Sequence, residues 1–139
     1  MIPVVFDCNV ILAAIGWRGT PRLCLKLAAQ RRVLMCVTDA ILAEYETVIP
    51  ERLKEETPGL DPLPKLSWIR TRAKQFDAAP LGKRRSRDAN DDPYLACALA
   101  AGARYIITYD KDLLKLEKPF GIEVVRPAEL LRRLPENEG

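Results

Sequence analysis

The sequence predicts an α/β fold: a three-layer sandwich with a central, mainly parallel sheet of four to five strands flanked by helices. Two observations predict it. Short, mostly apolar runs recur at residues 3–6, 33–37, 105–108 and 122–125, the last interrupted by Glu123. Such runs suit strands covered on both faces. Between them lie segments with helical spacing and helix-start signals, and strands alternating with helices build parallel sheets. In such sheets, ligands bind outside the carboxyl ends of the strands.

The elements follow in order. Residues 3–6 form the first strand, and 10–15 a short helix ended by Gly16. Thr20-Pro21 gives a cap followed by proline at the first helical position, opening a helix to about residue 31. Residues 33–37 are the second strand. Thr38-Asp39 caps a helix whose apolar positions Ile41, Leu42, Tyr45, Val48 and Ile49 share one face. From Pro50 to Pro64 the prolines and Gly59 predict a broken connection. Leu66, Ile69, Ala73 and Phe76 predict a further helix. Asp92-Pro93 repeats the cap-then-proline signal before an almost wholly apolar segment ended by Gly102, which should be a buried helix. A strand over 105–108, a short helix over 112–116, a strand over 122–125 and a helix over 127–134 complete the domain. Residues 1–134 are thus expected to be one domain, with 135–139 a frayed tail.

The composition removes several function classes. At 139 residues, with 48% hydrophobic and 29% charged, the chain can bury a core and is neither disordered nor fibrous. No apolar run reaches the roughly 18 residues that cross a bilayer. The opening Met1-Ile2-Pro3-Val4-Val5-Phe6-Asp7 lacks a basic leader region, so a cytoplasmic protein with no membrane partner is expected. The four cysteines stand far apart, which suits reduced, buried thiols rather than a zinc site. Histidine is absent. Ser-His-Asp, Cys-His and histidine general-base chemistry therefore cannot be assembled within this chain, and hydrolysis must rely on carboxylates, lysine, tyrosine or a metal.

Four acids stand out against the strand-edge rule. Asp7 ends the first strand and Asp110 follows the 105–108 strand. Glu44 lies on a flank of the helix after the second strand, and Asp92 opens the buried helix. Carboxylates crowded together repel and raise one another's pKa unless a cation joins them. Mg²⁺ and Mn²⁺ are hard, oxygen-seeking ions that suit such a cluster, activate a bound water and stabilise a phosphodiester's leaving oxygen. The run Lys83-Arg84-Arg85-Ser86-Arg87 beside Asp88, Asp91 and Asp92 puts basic groups where a phosphate would need them. Each acid also has a plainer reading. Asp92 and Asp110 can cap helices, Glu44 can be a solvated helical acid, and Asn9 can cap the helix after the first strand. Asp7 is the hardest to explain this way, because a carboxylate at the end of an apolar strand needs a partner.

Together, Asp7-Cys8-Asn9-Val10, the Ala43-Glu44 helix, Asp91-Asp92-Pro93-Tyr94-Leu95-Ala96-Cys97-Ala98 and Thr108-Tyr109-Asp110-Lys111-Asp112-Leu113 resemble the ordered motifs of PIN domains. The chain looks most like the PIN-type toxins of bacterial and archaeal toxin–antitoxin pairs. No single motif carries the resemblance; the four in this order and spacing do, and it spans essentially the whole chain. It implies a metal-dependent endoribonuclease using Mg²⁺ or Mn²⁺, with Asp7, Glu44, Asp92 and Asp110 as metal-binding catalytic acids. It further implies supporting roles for Asn9 (orienting Asp7 or a bound water), Thr108 (steadying the acids), Asp91 (beside or in place of Asp92) and Asp112 (an outer ligand). Arg84, Arg87 and Lys111 are the candidates for gripping substrate phosphate. The implied partners are RNA, a cognate antitoxin protein and a second copy in a homodimer. Two positions depart from the pattern: Cys8 stands where Thr or Ser is usual, and Tyr109 where a smaller or basic residue is common.

The competing expectation is a catalytically weak RNA- or protein-binding module of the same kind. Phosphotransferases with an aspartate after the first strand fit poorly. One class needs a second aspartate where Asn9 stands, and another needs a phosphoacceptor aspartate where the second strand runs into Thr38.

Overall fold

A computed structural model of the chain describes residues 1–82 and 92–134. The basic run with Arg84 and Arg87, the acids Asp88 and Asp91, and the 135–139 tail lie outside the described residues. The elements run β1 (Ile2–Phe6), α1 (Cys8–Gly16), α2 (Thr20–Ala29), β2 (Val33–Val37), α3 (Asp39–Glu56), α4 (Leu63–Arg72) and β3 (Lys74–Gln75). They continue with α5 (Asp92–Ala101), β4 (Tyr105–Ile107), α6 (Lys111–Leu114), a 3₁₀ turn at Pro119–Gly121, β5 (Glu123–Val125) and α7 (Pro127–Arg133).

The five strands form one sheet in the order β3-β2-β1-β4-β5, and every pairing is parallel. Val4 lies opposite Met35 on one side and Tyr105 on the other, and Phe6 lies opposite Ile107. The apolar runs read from the sequence are the central strands, and Val4, Val5, Phe6, Ile106 and Ile107 are buried. α5 packs across β1, β2 and β4. Its residues Tyr94 to Ala98 are all buried, as an all-apolar helix requires. From the central β1 the chain builds outward to β3, then crosses back to place β4 on the other side of β1. The β1/β4 junction is therefore the switch point of the sheet, where open parallel sheets form their ligand crevice.

Three local expectations fail, each for a visible reason. The helix after β2 does not break at Pro50 but runs on to Glu56 with the proline inside it. Ile49 and Leu53 are fully buried on either side, and that burial outweighs the missing N–H. The next helix stops at Arg72 and does not reach Phe76. Ala73 turns extended, Lys74 and Gln75 pair with Cys36 and Val37, and Phe76 N–H donates to Val37 C=O at 2.8 Å. Thr20 is the first residue of α2 rather than its cap. The cap position falls on Gly19, whose φ of 137° lies in the left-handed region that glycine alone enters cheaply.

Candidate active site

The backbone fixes Asp7 first. Its N–H donates to Ile107 C=O at 2.9 Å, prolonging the β1–β4 pairing by one residue. Its own C=O accepts the N–H groups of Val10 and Ile11, so it occupies the cap position of α1. The side chain is only 6% exposed. There the hydroxyl of Thr108, itself fully buried, donates to Asp7 Oδ2 at 2.7 Å. The same oxygen of Thr108 accepts the N–H of Asp110 at 2.9 Å. Asp110 Oδ1 in turn accepts the N–H groups of Asp112 (2.7 Å) and Leu113 (3.2 Å), capping α6. One hydroxyl thus links the acids that follow β1 and β4, at the switch point.

Burial pushes the Asp7 carboxyl above its ordinary value, and the negative charge of Asp110 adds to the rise. The Thr108 hydroxyl and the backbone N–H groups of Cys8 and Asn9 oppose it without cancelling it. Burial therefore leaves this carboxylate desolvated, with the charge of Asp110 beside it.

Glu44 reaches the same edge from α3. Thr38 caps that helix, its hydroxyl oxygen accepting Ile41 N–H at 3.2 Å, and Ile41, Leu42, Tyr45, Ile49 and Leu53 bury one face. Glu44 is half-buried on the flank of that face. The Tyr45 hydroxyl donates to Phe6 C=O, tying α3 to the end of β1. The Tyr94 hydroxyl, from α5, accepts Cys8 N–H at 3.2 Å and donates to Glu44 Oε1. Glu44 is therefore held to the peptide that follows Asp7. The Cys8 thiol reports this crowding. Burial first, then the charges of Glu44 and Asp7, push it up to about 12. Cys24 and Cys97 are likewise pushed to about 12 and Cys36 to about 11 by burial, and all four thiols are free. They are inert core residues at neutral pH.

The remaining candidates stand around this centre. Asp92 is half-buried in the first turn of α5, two residues before Tyr94, at the carboxyl edge of the sheet. Asn9 is exposed in the first turn of α1. Asp112 is half-buried and Lys111 exposed at the start of α6. Asp91, Arg84 and Arg87 lie outside the described residues. Among the described residues, no three His, Cys, Asp or Glu side chains are gathered into a ready metal-holding group. What is brought together is the linked pair Asp7 and Asp110, with Glu44 joined through Tyr94.

A PIN domain family model matches residues 3–112. The chain belongs to the PIN domain family. The fold of this PIN domain is also similar to the crystal structure of PAE2754 from Pyrobaculum aerophilum, with a TM-score of 0.64 over 96% of this chain and 89% of that one. The two share 15% identity, so the likeness speaks for the fold alone. No curated protein matches the sequence. PIN domains are generally nucleases, typically use divalent metals and act on RNA.

The residues present fit such an ion. The donor set is all carboxylate oxygen, the preference of hard divalent cations. Burial and the charge of Asp110 both raise Asp7, and a bound cation would oppose both effects. Among the described residues no helix is long and apolar enough to cross a membrane.

Sequence reading missed Tyr94 and Tyr45 as parts of the site. The available signal was chemical: a tyrosine inside an apolar helical face must bring its hydroxyl to a polar partner. Tyr109, by contrast, is 43% exposed between Thr108 and Asp110, at the mouth of the site.

Proposed function

We propose that this PIN domain is a Mg²⁺- or Mn²⁺-dependent endoribonuclease, with Asp7, Glu44, Asp92 and Asp110 as the metal-binding catalytic acids. The observation that carries the reading is the Thr108 hydroxyl, which holds a desolvated Asp7 beside Asp110 at the sheet's switch point. A divalent ion there would offset the buried charge and lower the pKa of a bound water. The chain's own part is to fix the acids. Thr108 orients Asp7, the α6 N–H groups hold one oxygen of Asp110, and Tyr94 holds Glu44. Asn9 and Asp112 are supporting groups within this reading, with Asp91 beside Asp92. Lys111, Arg84 and Arg87 grip RNA phosphates, contacts that position a strand without reading its sequence. By the motif resemblance the protein is the toxin of a toxin–antitoxin pair, working in the cytoplasm as a homodimer and inhibited by a small antitoxin protein.

The test is incubation of the purified chain with mixed structured and single-stranded RNA in Mg²⁺, Mn²⁺ or EDTA, with Asp7→Asn alongside. Cleavage that needs the metal and disappears in the variant supports the reading. Cleavage that persists in Asp7→Asn sinks the assignment of the site.

A second reading is an RNA- or protein-binding module that holds metal too weakly to cleave. One observation favours it: among the described residues no three ligands are gathered in advance. RNA retained on the protein but left intact under every metal condition would decide for it.

A further inference from the structure

We propose that Tyr94 is a positioning residue that sets Glu44 for metal binding, an inference that rests on the proposed metal site. The hydrogen bonds can run in only one direction. Cys8 N–H is a donor, so the Tyr94 oxygen accepts it at 3.2 Å, and the phenolic proton is left to point at Glu44 Oε1. A polarised chain results: Cys8 N–H to Tyr94 O–H to the Glu44 carboxylate. Its first member belongs to the peptide bond joining Asp7 to Cys8. The location of Glu44 is thereby referenced to the backbone of Asp7, although the two acids sit on different elements.

The surroundings make the hydroxyl a fixed post. Tyr94 is 2% exposed on the buried face of α5, which packs on β1, β2, β4 and α3. Its ring cannot swing away without opening the core. Glu44, by contrast, stands half-buried on a helix flank, where a glutamate side chain has several rotamers open to it. A hydrogen bond that orients a metal-binding carboxylate typically changes metal affinity by about 10–100-fold when removed.

The test is Mn²⁺ binding by isothermal titration calorimetry to the wild type, Tyr94→Phe, Glu44→Gln and the double variant. Phenylalanine keeps the buried ring and removes only the hydroxyl. The expected result is Mn²⁺ affinity weakened by about 10–100-fold in Tyr94→Phe, with little further loss when it is added to Glu44→Gln. That non-additivity marks a residue acting through Glu44. A merely structural tyrosine would lower thermal stability and leave Mn²⁺ affinity unmoved, and that result overturns the proposal. Full additivity with Glu44→Gln overturns it as well. A wild-type chain that binds no Mn²⁺ removes the metal site itself and Tyr94's role with it. Wild-type binding matched by Tyr94→Phe removes only the role of Tyr94.

Discussion

Thr108 donates its hydroxyl proton to Asp7 Oδ2 across 2.7 Å, with both side chains buried. The bond stabilises the charged form of Asp7, while the same oxygen accepts Asp110 N–H. Thr108→Val keeps the shape and removes both functions. The Asp110 N–H is left unpaired, at a cost of about 1–3 kcal/mol in urea denaturation. Asp7 loses the largest of the interactions that oppose burial, so its carboxyl moves further up. The pH at which cleavage sets in should rise accordingly. A pH–rate profile that coincides with the wild type would remove Thr108 from the control of Asp7.

Asp7 itself should trade stability for function. Its folded pKa lies above the ordinary value of 3.8, because burial outweighs the hydrogen bonds. The sign follows from proton linkage. A carboxyl that holds its proton more tightly when folded contributes stability fully below the unfolded value, and loses that contribution as pH rises through the folded value. Without metal, the buried charge of Asp7 is a liability that Asp7→Asn removes. In EDTA the variant should exceed the wild type in stability by an amount within the roughly 0.5–3 kcal/mol typical of single substitutions. The advantage should shrink as pH falls through the raised folded value and be gone below about 3.8, where the wild-type carboxyl is neutral in both states. Urea denaturation of both proteins from acid to neutral pH measures it, and an advantage that grows towards acid would contradict the assignment.

What was legible in the sequence divides along the range of the interactions. The apolar runs at Val4-Val5-Phe6 and Ile106-Ile107 announced central strands, because burial on both faces leaves no other pattern. Asp7 and Asp110 were then placed at the carboxyl edge by connectivity alone. β3 was not legible: Lys74 and Gln75 are two exposed polar residues, and their pairing depends on where Cys36 and Val37 end up. Nor was the link from Tyr94 to Glu44 and Cys8, which joins residues 50 and 86 positions apart. Only packing of α5 across β1 brings them into contact, and local spacing carries no trace of it.

Pro50 is the clearest case of packing overriding a local signal. It lies inside α3, where a proline removes a backbone bond to the carbonyl four residues earlier, that of Glu46, and crowds it. Ile49 and Leu53 hold the helix together around it. Pro50→Ala restores the donor without disturbing that anchor and should stabilise the fold by about 1–3 kcal/mol, the upper figure being the usual penalty of proline in a helix. Chemical denaturation gives the number. A neutral or destabilising outcome would mean that the backbone geometry at the proline is itself needed for the packing of Ile49 and Leu53.

Divalent metal should stabilise the folded chain through the same carboxylates. Asp7 is buried, raised by desolvation and raised again by Asp110, so a cation bound between them relieves both effects at once. A ligand at about 100 times its Kd adds roughly 2.7 kcal/mol to stability, or an increase in Tm on the order of 10 °C for a domain of this size. Thermal melts in Mn²⁺ should show that rise, and EDTA should reverse it. Asp7→Asn and Asp110→Asn should each remove most of it. Asp110→Asn is the sharper control, because an asparagine oxygen can still accept the Asp112 and Leu113 N–H groups and keep the cap of α6. Its metal-free Tm should therefore stay near the wild type while the Mn²⁺ response disappears. A full response in both variants would place the ion elsewhere on the molecule.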